Sequence, residues 1–558
     1  MVKKIASFFN KEINGLHQAA YLLGFFTVLS NLLALVRDRL LAAEFGAGHS
    51  LDLYYSSFRI PDFIFVTVGS LVAISVLVPF VIEKLNIGVA ETKKFIDNIF
   101  SFFFLLIILV SALAFVLTPW LIPKLFAGFS SSDFPVLIKM TRILLLSPIF
   151  LGLSNFFGSL NQVYKKFIIY SLSPLAYNLG IIVGILFFYP YWGLKGLVLG
   201  VILGAIIHFL IQVPVVIRQK LFPRFSWQLD WAGIGRVMML SVPRTFTLAI
   251  TQLTTLVLIS LATFMEHGSI SIFNFSLNLQ SVPLSIIGVS YSIAAFPNLS
   301  KYFTSGQREK FISQLLTSCK HIILWSIPVS VLFIVLRAQI VRTILGAGEF
   351  SWENTRLTAA CLAIFSLSVV AQSLILLFIR AYYAMGQTKK PLIIGLISGF
   401  LIIVLSYLLI QTFTWSAFFQ YFIESLFRVT DIRGTVVLML SLGYSLAVFV
   451  NCILLGYYFH KNFPGFIRSL LLTLIQSVSA SIFMGFITYL CLNYFSTIFN
   501  LNTLLGIFTQ GLFSGLIGIV AGVIILKLLN NQEITEVWQT LHSRIWKAKT
   551  LPVEISEI

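Results

Sequence analysis

The feature that most constrains this chain is a series of long apolar runs that contain no charged residue. The longest covers residues 469–526, which are 58 consecutive residues without Asp, Glu, Lys or Arg. A helix of roughly 20 residues crosses about 30 Å of hydrocarbon, so this run is long enough for two crossings. Residues 493–502 are polar enough to form the turn between them. The run therefore predicts a pair of membrane-spanning helices.

Similar runs recur along the whole chain and predict fourteen spans in total. Two spans carry charge: residues 53–82, which Arg59 and Asp62 interrupt, and residues 312–336, which contain Lys320. The charge-free spans are residues 13–36, 98–123, 143–164, 167–194, 196–217, 245–265, 268–300, 357–379, 391–423 and 434–460. The expected fold class is an all-α polytopic membrane protein, since only such a fold leaves this much apolar surface in lipid.

Composition excludes several other classes. The net charge is +18, but the basic residues stand in short clusters between apolar runs, where they orient helices in a membrane, so we expect no nucleic-acid partner. The four cysteines have no paired spacing, which predicts neither a disulfide framework nor a metal site. No phosphate-binding loop and no His-Glu or Cys-His spacing is present, so we expect no cofactor and no enzymatic activity.

The distribution of lysine and arginine predicts the orientation. With fourteen spans, 25 of the 38 basic residues fall on the side that holds both termini or near it. Cytoplasmic loops carry the excess of Lys and Arg in membrane proteins. Both termini are therefore expected in the cytoplasm, in a chain that crosses the membrane many times.

An internal repeat divides the spans into two halves. Lys165 and Lys166 match Lys389 and Lys390 at an offset of 224, and residues 61 and 283 are prolines early in the second span of each half, 222 apart. Because each half has an even number of spans, both halves enter the membrane in the same orientation. The expected domains are an N-lobe (1–220), a cytoplasmic linker (221–231), a C-lobe (232–462), two further spans (463–530) and a cytoplasmic amphipathic tail (531–558).

Residues 30–79 concentrate charge between two apolar runs. Ionisable groups at bilayer depth mark a substrate path by default, because burying them is costly unless they pair or bind something. Arginine carries a permanent charge and a forked donor that grips phosphate oxygens. The candidate substrate-binding residues are Arg37, Asp38, Asp52, Arg59 and Arg244.

The same residues have simpler interpretations that the sequence leaves open. Arg59 and Asp62 stand three residues apart, so they can form an ion pair on one helix with no substrate role. Arg244 can extend to the membrane interface instead of facing a cavity. Glu44 and His49 are equally compatible with a short solvated loop.

Three stretches carry a family resemblance. They are RDRLLAAEFGAGHSLDLYYSSFRIPDF, HGSISIFNFSLNLQSVPLSIIGVSYSIAAFPNLSK and FIRAYYAMGQTKKP. Together with the fourteen-span layout, they resemble the MurJ (MviN) lipid II flippases of the multidrug/oligosaccharidyl-lipid/polysaccharide exporter superfamily. The resemblance covers about residues 15–530.

The resemblance implies two six-helix lobes in a V shape, with two extra C-terminal helices that form a groove for a lipid tail. It implies alternating access and transport of an undecaprenyl-pyrophosphate-linked peptidoglycan precursor from the inner to the outer leaflet for cell-wall synthesis. The location that this implies is the bacterial cytoplasmic (inner) membrane. The implied partners are this lipid-linked saccharide and membrane lipids, and the chain is expected to act as a monomer. The alternatives are a flippase for another polyprenyl-linked oligosaccharide, an exporter like the MATE proteins, and a membrane scaffold without transport.

The match is incomplete at specific positions. Arg37, Asp38, Asp52 and Arg59 correspond to charged positions of the family's first two spans. Asn31, Phe65 and Asn278 stand where the family usually carries arginine, and Gln387 stands where an acidic residue usually follows the Tyr-Ala pair of span ten. The chain is a diverged relative by this measure.

The orientation generates a labelling prediction. Single cysteines introduced at Thr388 and Asn462 should be shielded from an impermeant thiol reagent in intact cells, because both positions fall on the cytoplasmic side. A cysteine at Thr430 should react. Labelling of the Thr388 cysteine from outside would contradict the orientation.

Overall fold

The computed structural model of the chain describes residues 16–72 and 74–546, without the side chains of residues 16–21, 23, 72, 74–76, 240, 243, 244 and 540–546. The described residues form helices, turns and bends and no strand. The predicted fold class, an all-α polytopic membrane protein, is confirmed.

The helices up to the middle of the chain are α1 Leu16–Phe45, α2 His49–Ser57, α3 Arg59–Gly69, α4 Ile74–Ile87, α5 Val89–Leu125, α6 Phe134–Leu144, α7 Leu146–Val163, α8 Phe167–Val183, α9 Tyr189–Trp192, α10 Leu194–Leu210, α11 Val213–Arg218 and α12 Trp231–Ala262. The remaining helices are α13 Ser269–Leu284, α14 Ser290–Thr304, α15 Arg308–Val335, α16 Arg337–Leu345, α17 Trp352–Ala384, α18 Lys389–Trp415, α19 Ala417–Phe427, α20 Val437–Asn462, α21 Phe466–Phe495, α22 Leu504–Leu528 and α23 Gln532–Trp546.

Within the described residues, twelve stretches are long and apolar enough to cross a membrane. They run from Val89–Leu125 to Leu504–Leu528 and correspond to spans three to fourteen of the prediction. The first predicted span falls on α1. The second falls on α2, α3, a 3₁₀ turn at Ser70–Val72 and α4, so the chain there is helical but repeatedly interrupted.

The interruption of the second span has a local cause. Pro61 lies in the first turn of α3, where its missing N–H is tolerated because the first amides of a helix have no partner within the helix. Phe58 separates α2 from α3, and its carbonyl accepts the amide of Asp62 at 2.8 Å. The break places the charged residues at helix ends.

The described chain divides into two compact units. The first comprises the described residues of Met1–Ser276 with Ile344–Cys361 and Gly395–Tyr444, and the second comprises those of Leu277–Thr343, Leu362–Ile394 and Ser445–Ile558. The predicted domain bounds at 220, 231, 462 and 530 remain a prediction.

In the second unit, the core is built from apolar and aromatic side chains. Phe378, Tyr382, Phe459 and Phe463 pack together there, with the rings of Tyr382 and Phe459 4.3 Å apart between centroids. The predicted amphipathic tail is helical as α23, and it packs against this unit. Its Glu533 is buried and accepts the ammonium group of Lys320 at 3.1 Å. A buried carboxylate held by a cation fixes the start of α23 on α15.

The turns that follow α7 and α17 share one backbone arrangement. Lys165 has a φ of 55° and Gly386 has a φ of 71°. In each turn the next amide, that of Lys166 or Gln387, donates to the carbonyl five residues earlier at 2.9 Å. This is the usual way in which a helix ends with one residue in the left-handed region. The two turns are 221 residues apart, close to the 222 that separates the two prolines.

Close packing without intervening side chains joins the C-terminal end of α8 to α10. Gly180 lies against Gly200 and Gly204, and Gly184, directly after α8, lies against Gly200; the glycines on each side are spaced four residues apart, as in small-residue membrane interfaces. A Cβ added to Gly184 would lie 2.6 Å from the Cα of Gly200, and one added to Gly204 would lie 2.5 Å from the carbonyl oxygen of Tyr177. The backbones of the two helices touch directly.

This contact generates a stability prediction. Gly200→Leu should lower the stability of the folded protein by about 2 kcal/mol or more, since the side chain forces α8 and α10 apart. Gly395→Leu is the matched control, because nothing lies within 4 Å of a Cβ at that position of α18. Thermal unfolding in detergent, followed by aggregation of the protein, measures both. Equal melting temperatures for the two variants would contradict the close packing.

Candidate functional site

The first charged pair of the predicted stretch lies near the end of α1. Arg37 donates through Nε and Nη2 to Oδ1 of Asp38, at 2.9 and 2.7 Å. Its Nη1 donates to Oδ1 of Asn178 on α8 at 3.0 Å. Asp38 is 2% exposed. A buried carboxylate beside a guanidinium cancels most of its charge, so Arg37 and Asp38 together form a nearly neutral, pre-positioned pair.

Arg59, at the start of α3, is held by neutral groups. Its Nε donates to the carbonyl oxygen of Tyr55 at 3.2 Å, and its Nη2 donates to Oδ1 of Asn274 on α13 at 2.7 Å. Among the described residues, no hydrogen bond from its Nη1 is formed. Arg59 therefore keeps its full charge and part of its forked donor set while its position is fixed.

The alternative ion pair between Arg59 and Asp62 is not formed. No oxygen of Asp62 lies within 4.0 Å of the Arg59 guanidinium in the described chain. The two groups remain close enough to interact electrostatically. The geometry thus disagrees with the interpretation in which Arg59 serves only as a helix-surface partner of Asp62.

Tyr55 on α2 lies between the two arginines. Its ring is buried, and its phenol is within electrostatic range of both Arg37 and Arg59. In the part of the chain that the structure describes, the Tyr55 hydroxyl has no hydrogen-bond partner. Most buried hydroxyls are paired, so an unpaired one beside two cations is available to a ligand.

Asp52 is held by hydrogen bonds from the start of the next helix in space. Its Oδ2 accepts the amide of Gly268 at 2.6 Å, and its Oδ1 accepts the amide and hydroxyl of Ser271 at 2.8 and 2.6 Å. These donors form the start of α13, where a carboxylate satisfies orphan amides and complements the helix dipole. Asp52 joins α2 to the N-terminus of α13.

The turn that precedes α13 is shaped by a glycine. Gly268 has a φ of 92°, and a Cβ there would collide with the carbonyl oxygen of Ala47. Only glycine adopts this conformation with so close a neighbour. The turn therefore brings the amides of residues 268 and 271 against Asp52.

His49 lies in a hydrogen-bonded cluster beside this turn, and not in a simple solvated loop. Its Nδ1 is 3.0 Å from Nδ1 of His267, and its Nε2 is 2.9 Å from Oδ1 of Asp133. Burial alone would raise the pKa of Asp133, but hydrogen bonds from Ser130 and His49 outweigh it and hold that pKa below its usual value. A charged Asp133 orients the His49 ring.

The remaining candidate is Arg244, which lies on α12, and its side chain is outside the description. The structure also adds polar partners that the sequence did not single out, namely Asn178, Asn274 and Ser271. The two asparagines stand in long apolar runs, where an isolated amide is a signal of a buried contact. In the described chain, no group of three His, Cys, Asp or Glu residues is arranged to hold a metal ion.

Comparisons of sequence agree with this arrangement of helices and charges. The family described as "Lipid II flippase MurJ" matches residues 41–419, more than half of the chain. The chain is 25% identical over 380 residues to the lipid II flippase MurJ of Burkholderia cenocepacia, which covers 66% of this chain and 74% of that protein. It is 27% identical over 368 residues to the probable lipid II flippase MurJ of Thermotoga maritima, covering 65% and 73%.

Comparisons of structure point to the same fold. A solved lipid II flippase MurJ in an inward closed conformation aligns with a TM-score of 0.71 at 24% identity, covering 93% of this chain and 99% of that one. An inward-facing multidrug resistance MATE transporter of the MOP superfamily aligns with a TM-score of 0.64 at 13% identity, covering 79% and 96%. With the family matched across residues 41–419, the chain belongs to the lipid II flippase MurJ family.

Proposed function

We propose that this chain is a flippase that moves lipid II from the inner to the outer leaflet of the bacterial cytoplasmic membrane by alternating access. It is a multi-pass membrane protein and a transporter, not an enzyme. The observation that carries the proposal is the family match over residues 41–419. The geometry around Arg37 and Arg59 supports it, because it supplies cations suited to a pyrophosphate.

Arg59 is the principal pyrophosphate contact in this proposal. A pyrophosphate brings about two negative charges into a low-dielectric interior, where only a fixed cation offsets the loss of hydration. Arg59 is held by a carbonyl and by the amide of Asn274, neither of which neutralises it. The free Nη1 donors and the Tyr55 hydroxyl supply further hydrogen bonds to phosphate oxygens.

Arg37 contributes differently because Asp38 shares its charge. The pair presents a guanidinium whose position is already fixed by three hydrogen bonds. Asp38 keeps the site nearly neutral between cycles, so that the empty protein does not bury two unpaired cations. When an anionic cargo binds, the positive charge of Arg59 offsets part of its negative charge.

Asp52 is assigned to the conformational cycle. Its hydrogen bonds with Gly268 and Ser271 join α2, in the predicted N-lobe, to α13, in the predicted C-lobe. Alternating access requires that contacts on one side of the membrane form while those on the other side break. We place the Asp52 contact on the outer side, following the predicted orientation with both termini in the cytoplasm.

The alternative functions are less well supported. A drug exporter binds cations and favours acidic residues in its site, whereas this site retains two arginines. A scaffold without transport has no need of a guanidinium held by neutral groups at bilayer depth. The proposal also keeps the expectation that one chain is sufficient for transport.

The test of the function is replacement of a known flippase. Cells depleted of their own lipid II flippase should grow when they express this chain, and intact cells should again expose lipid II in the outer leaflet to a reagent that does not cross the membrane. Failure to restore growth, with the folded protein present in the membrane, would contradict lipid II as the cargo.

The arginines generate the first functional prediction. Arg59→Ala should weaken binding of the lipid-linked pyrophosphate by about 30- to 150-fold, because it removes a charge-assisted contact of roughly 2 to 3 kcal/mol. Arg59→Lys should recover part of this, since the charge remains but the fork is lost. Tyr55→Phe should give a smaller loss. Transport per folded molecule and a binding titration measure these effects.

Arg37 requires a paired design. Arg37→Ala alone removes the guanidinium that offsets the charge of the buried Asp38 carboxylate, which costs about 3 kcal/mol or more and reduces the amount of folded protein. The double variant Arg37→Gln with Asp38→Asn should restore folding but not transport. Arg218→Ala, an exposed arginine of α11, is the matched control and should behave as the wild type. Wild-type transport by the double variant would exclude Arg37 from the cargo site.

The Asp52 contact generates a prediction about opening. Asp52→Ala removes the acceptor for three donors and should favour opening by about 1 to 3 kcal/mol. A cysteine at the buried position Ser56 should then react with an impermeant thiol reagent about 5- to 150-fold faster. Ser271→Ala removes only the hydroxyl and should give a smaller increase. An unchanged labelling rate in both variants would contradict this role of Asp52.

A further inference from the structure

A cavity of about 810 Å³ lies on the surface of the first unit between α5 and the pair α6 and α7. Its walls are apolar, with Ile108, Val116, Ile138 and Leu146 among the lining residues. Val116 is 70% exposed, and Leu146 is 47% exposed. All of these residues belong to membrane-spanning stretches, so the cavity opens towards hydrocarbon. Its shape and surface suit an acyl chain.

One end of the cavity is cationic. Lys139 and Arg142 line it, and Lys195 lies close enough to Lys139 for the two ammonium groups to repel each other. In the described part of the chain, no carboxylate lies within 4.0 Å of any of the three cations. Two adjacent ammonium groups repel each other, so their juxtaposition is favourable only when an anion lies between or beside them.

Arg142 is held rigidly beside the two lysines. Its Nε donates to the carbonyl oxygen of Phe115 at 3.2 Å and to Oγ1 of Thr118 at 3.1 Å. Its guanidinium also lies over the Phe115 ring, 4.5 Å from the centroid. These contacts fix the guanidinium at the rim of the cavity without neutralising it.

A buried hydroxyl gives an independent indication of a ligand. Ser111 lines the cavity and is 4% exposed. Among the described residues, its Oγ has no hydrogen-bond partner. A serine in a membrane helix normally donates to a carbonyl of the preceding turn, so an unpaired hydroxyl here is available to an acceptor in the cavity. It lies deeper than the cations, where a phospholipid carries its ester carbonyls.

We propose that this cavity is a binding site for an anionic phospholipid. The phosphate lies against Lys139, Lys195 and Arg142, an ester carbonyl accepts the hydroxyl of Ser111, and an acyl chain covers the apolar wall. With the predicted orientation, the site belongs to the outer leaflet. The site is separate from Arg37 and Arg59, and it does not depend on the identity of the transported cargo.

The choice of occupant follows from charge and surroundings. A zwitterionic lipid carries its own cationic group, which partly neutralises its phosphate, so the three cations at the rim add little to its binding energy. A peptide would leave backbone groups unpaired against an apolar wall that faces hydrocarbon. An anionic phospholipid satisfies the cations, the hydroxyl and the wall together, and it is present in the surrounding bilayer.

Native mass spectrometry of the purified full chain tests the proposal. Phosphatidylglycerol and phosphatidylcholine with identical acyl chains are added in equal amounts, and retained adducts are counted. The wild type should retain phosphatidylglycerol about tenfold or more over phosphatidylcholine, since each lysine near a headgroup adds to the attraction. Lys139→Gln with Lys195→Gln should bring this ratio close to one.

Matched variants separate the cavity from general surface charge. Lys124→Gln removes an exposed cation of α5 that does not line the cavity, and it should leave the ratio unchanged. Ala112→Trp fills the cavity without changing charge and should remove one retained lipid. Ser111→Ala should lower retention by a few-fold while the preference for phosphatidylglycerol persists.

Three outcomes would overturn the proposal. The first is an unchanged preference in the double lysine variant, and the second is an equal loss in Lys124→Gln. The third is an adduct with the mass of a polyprenyl pyrophosphate that phosphatidylglycerol does not displace, which would assign the cavity to the cargo instead. All substituted side chains except Ser111 are exposed, so the variants keep the folded core, and thermal unfolding in detergent verifies this.

Discussion

Every ionisable side chain placed among apolar helices must find a partner, and this requirement organises the first unit. Arg37 is matched by Asp38 and Asn178, Arg59 by Asn274, and Asp52 by the first amides of α13. In each case at least one partner lies on another helix or at its first turn. The charges that equip the protein for an anionic cargo therefore also fasten α1 to α8, and α2 and α3 to α13. Function and tertiary structure depend on the same hydrogen bonds.

The spans could be predicted from sequence because their signals are local. Charge-free runs of about 20 residues are sufficient to identify a crossing, and the structure confirms spans three to fourteen as helices of adequate length and apolarity. The second span was predicted as one crossing interrupted near Arg59. The sequence shows Pro61, beside which the break between α2 and α3 lies, but it does not show the further division into a 3₁₀ turn and α4.

The site was only partly predictable for the same reason. Arginine beside an apolar run identified Arg37 and Arg59, and the adjacent acid identified Asp38. Nothing local could show that Asp52 meets Gly268, because 216 residues separate them. The hydrogen bonds that Asp52 accepts at the start of α13 become visible only in the folded structure, and a role of Asp52 in substrate binding remains a prediction. Asn178 and Asn274 carry no charge and so give no comparable signal in the sequence, although a lone amide in an apolar run also needs a hydrogen-bond partner.

The glycine contact between α8 and α10 has a mechanical meaning. Where side chains interdigitate, two helices can slide by changing rotamers. The backbones of Gly184 and Gly200 are in direct contact, so no side chain lies between them that could change rotamer when one helix moves. A displacement of α10 must carry α8 with it, and α8 in turn carries Asn178 and the guanidinium that Asn178 holds. Movement of α10 is thereby coupled to Arg37.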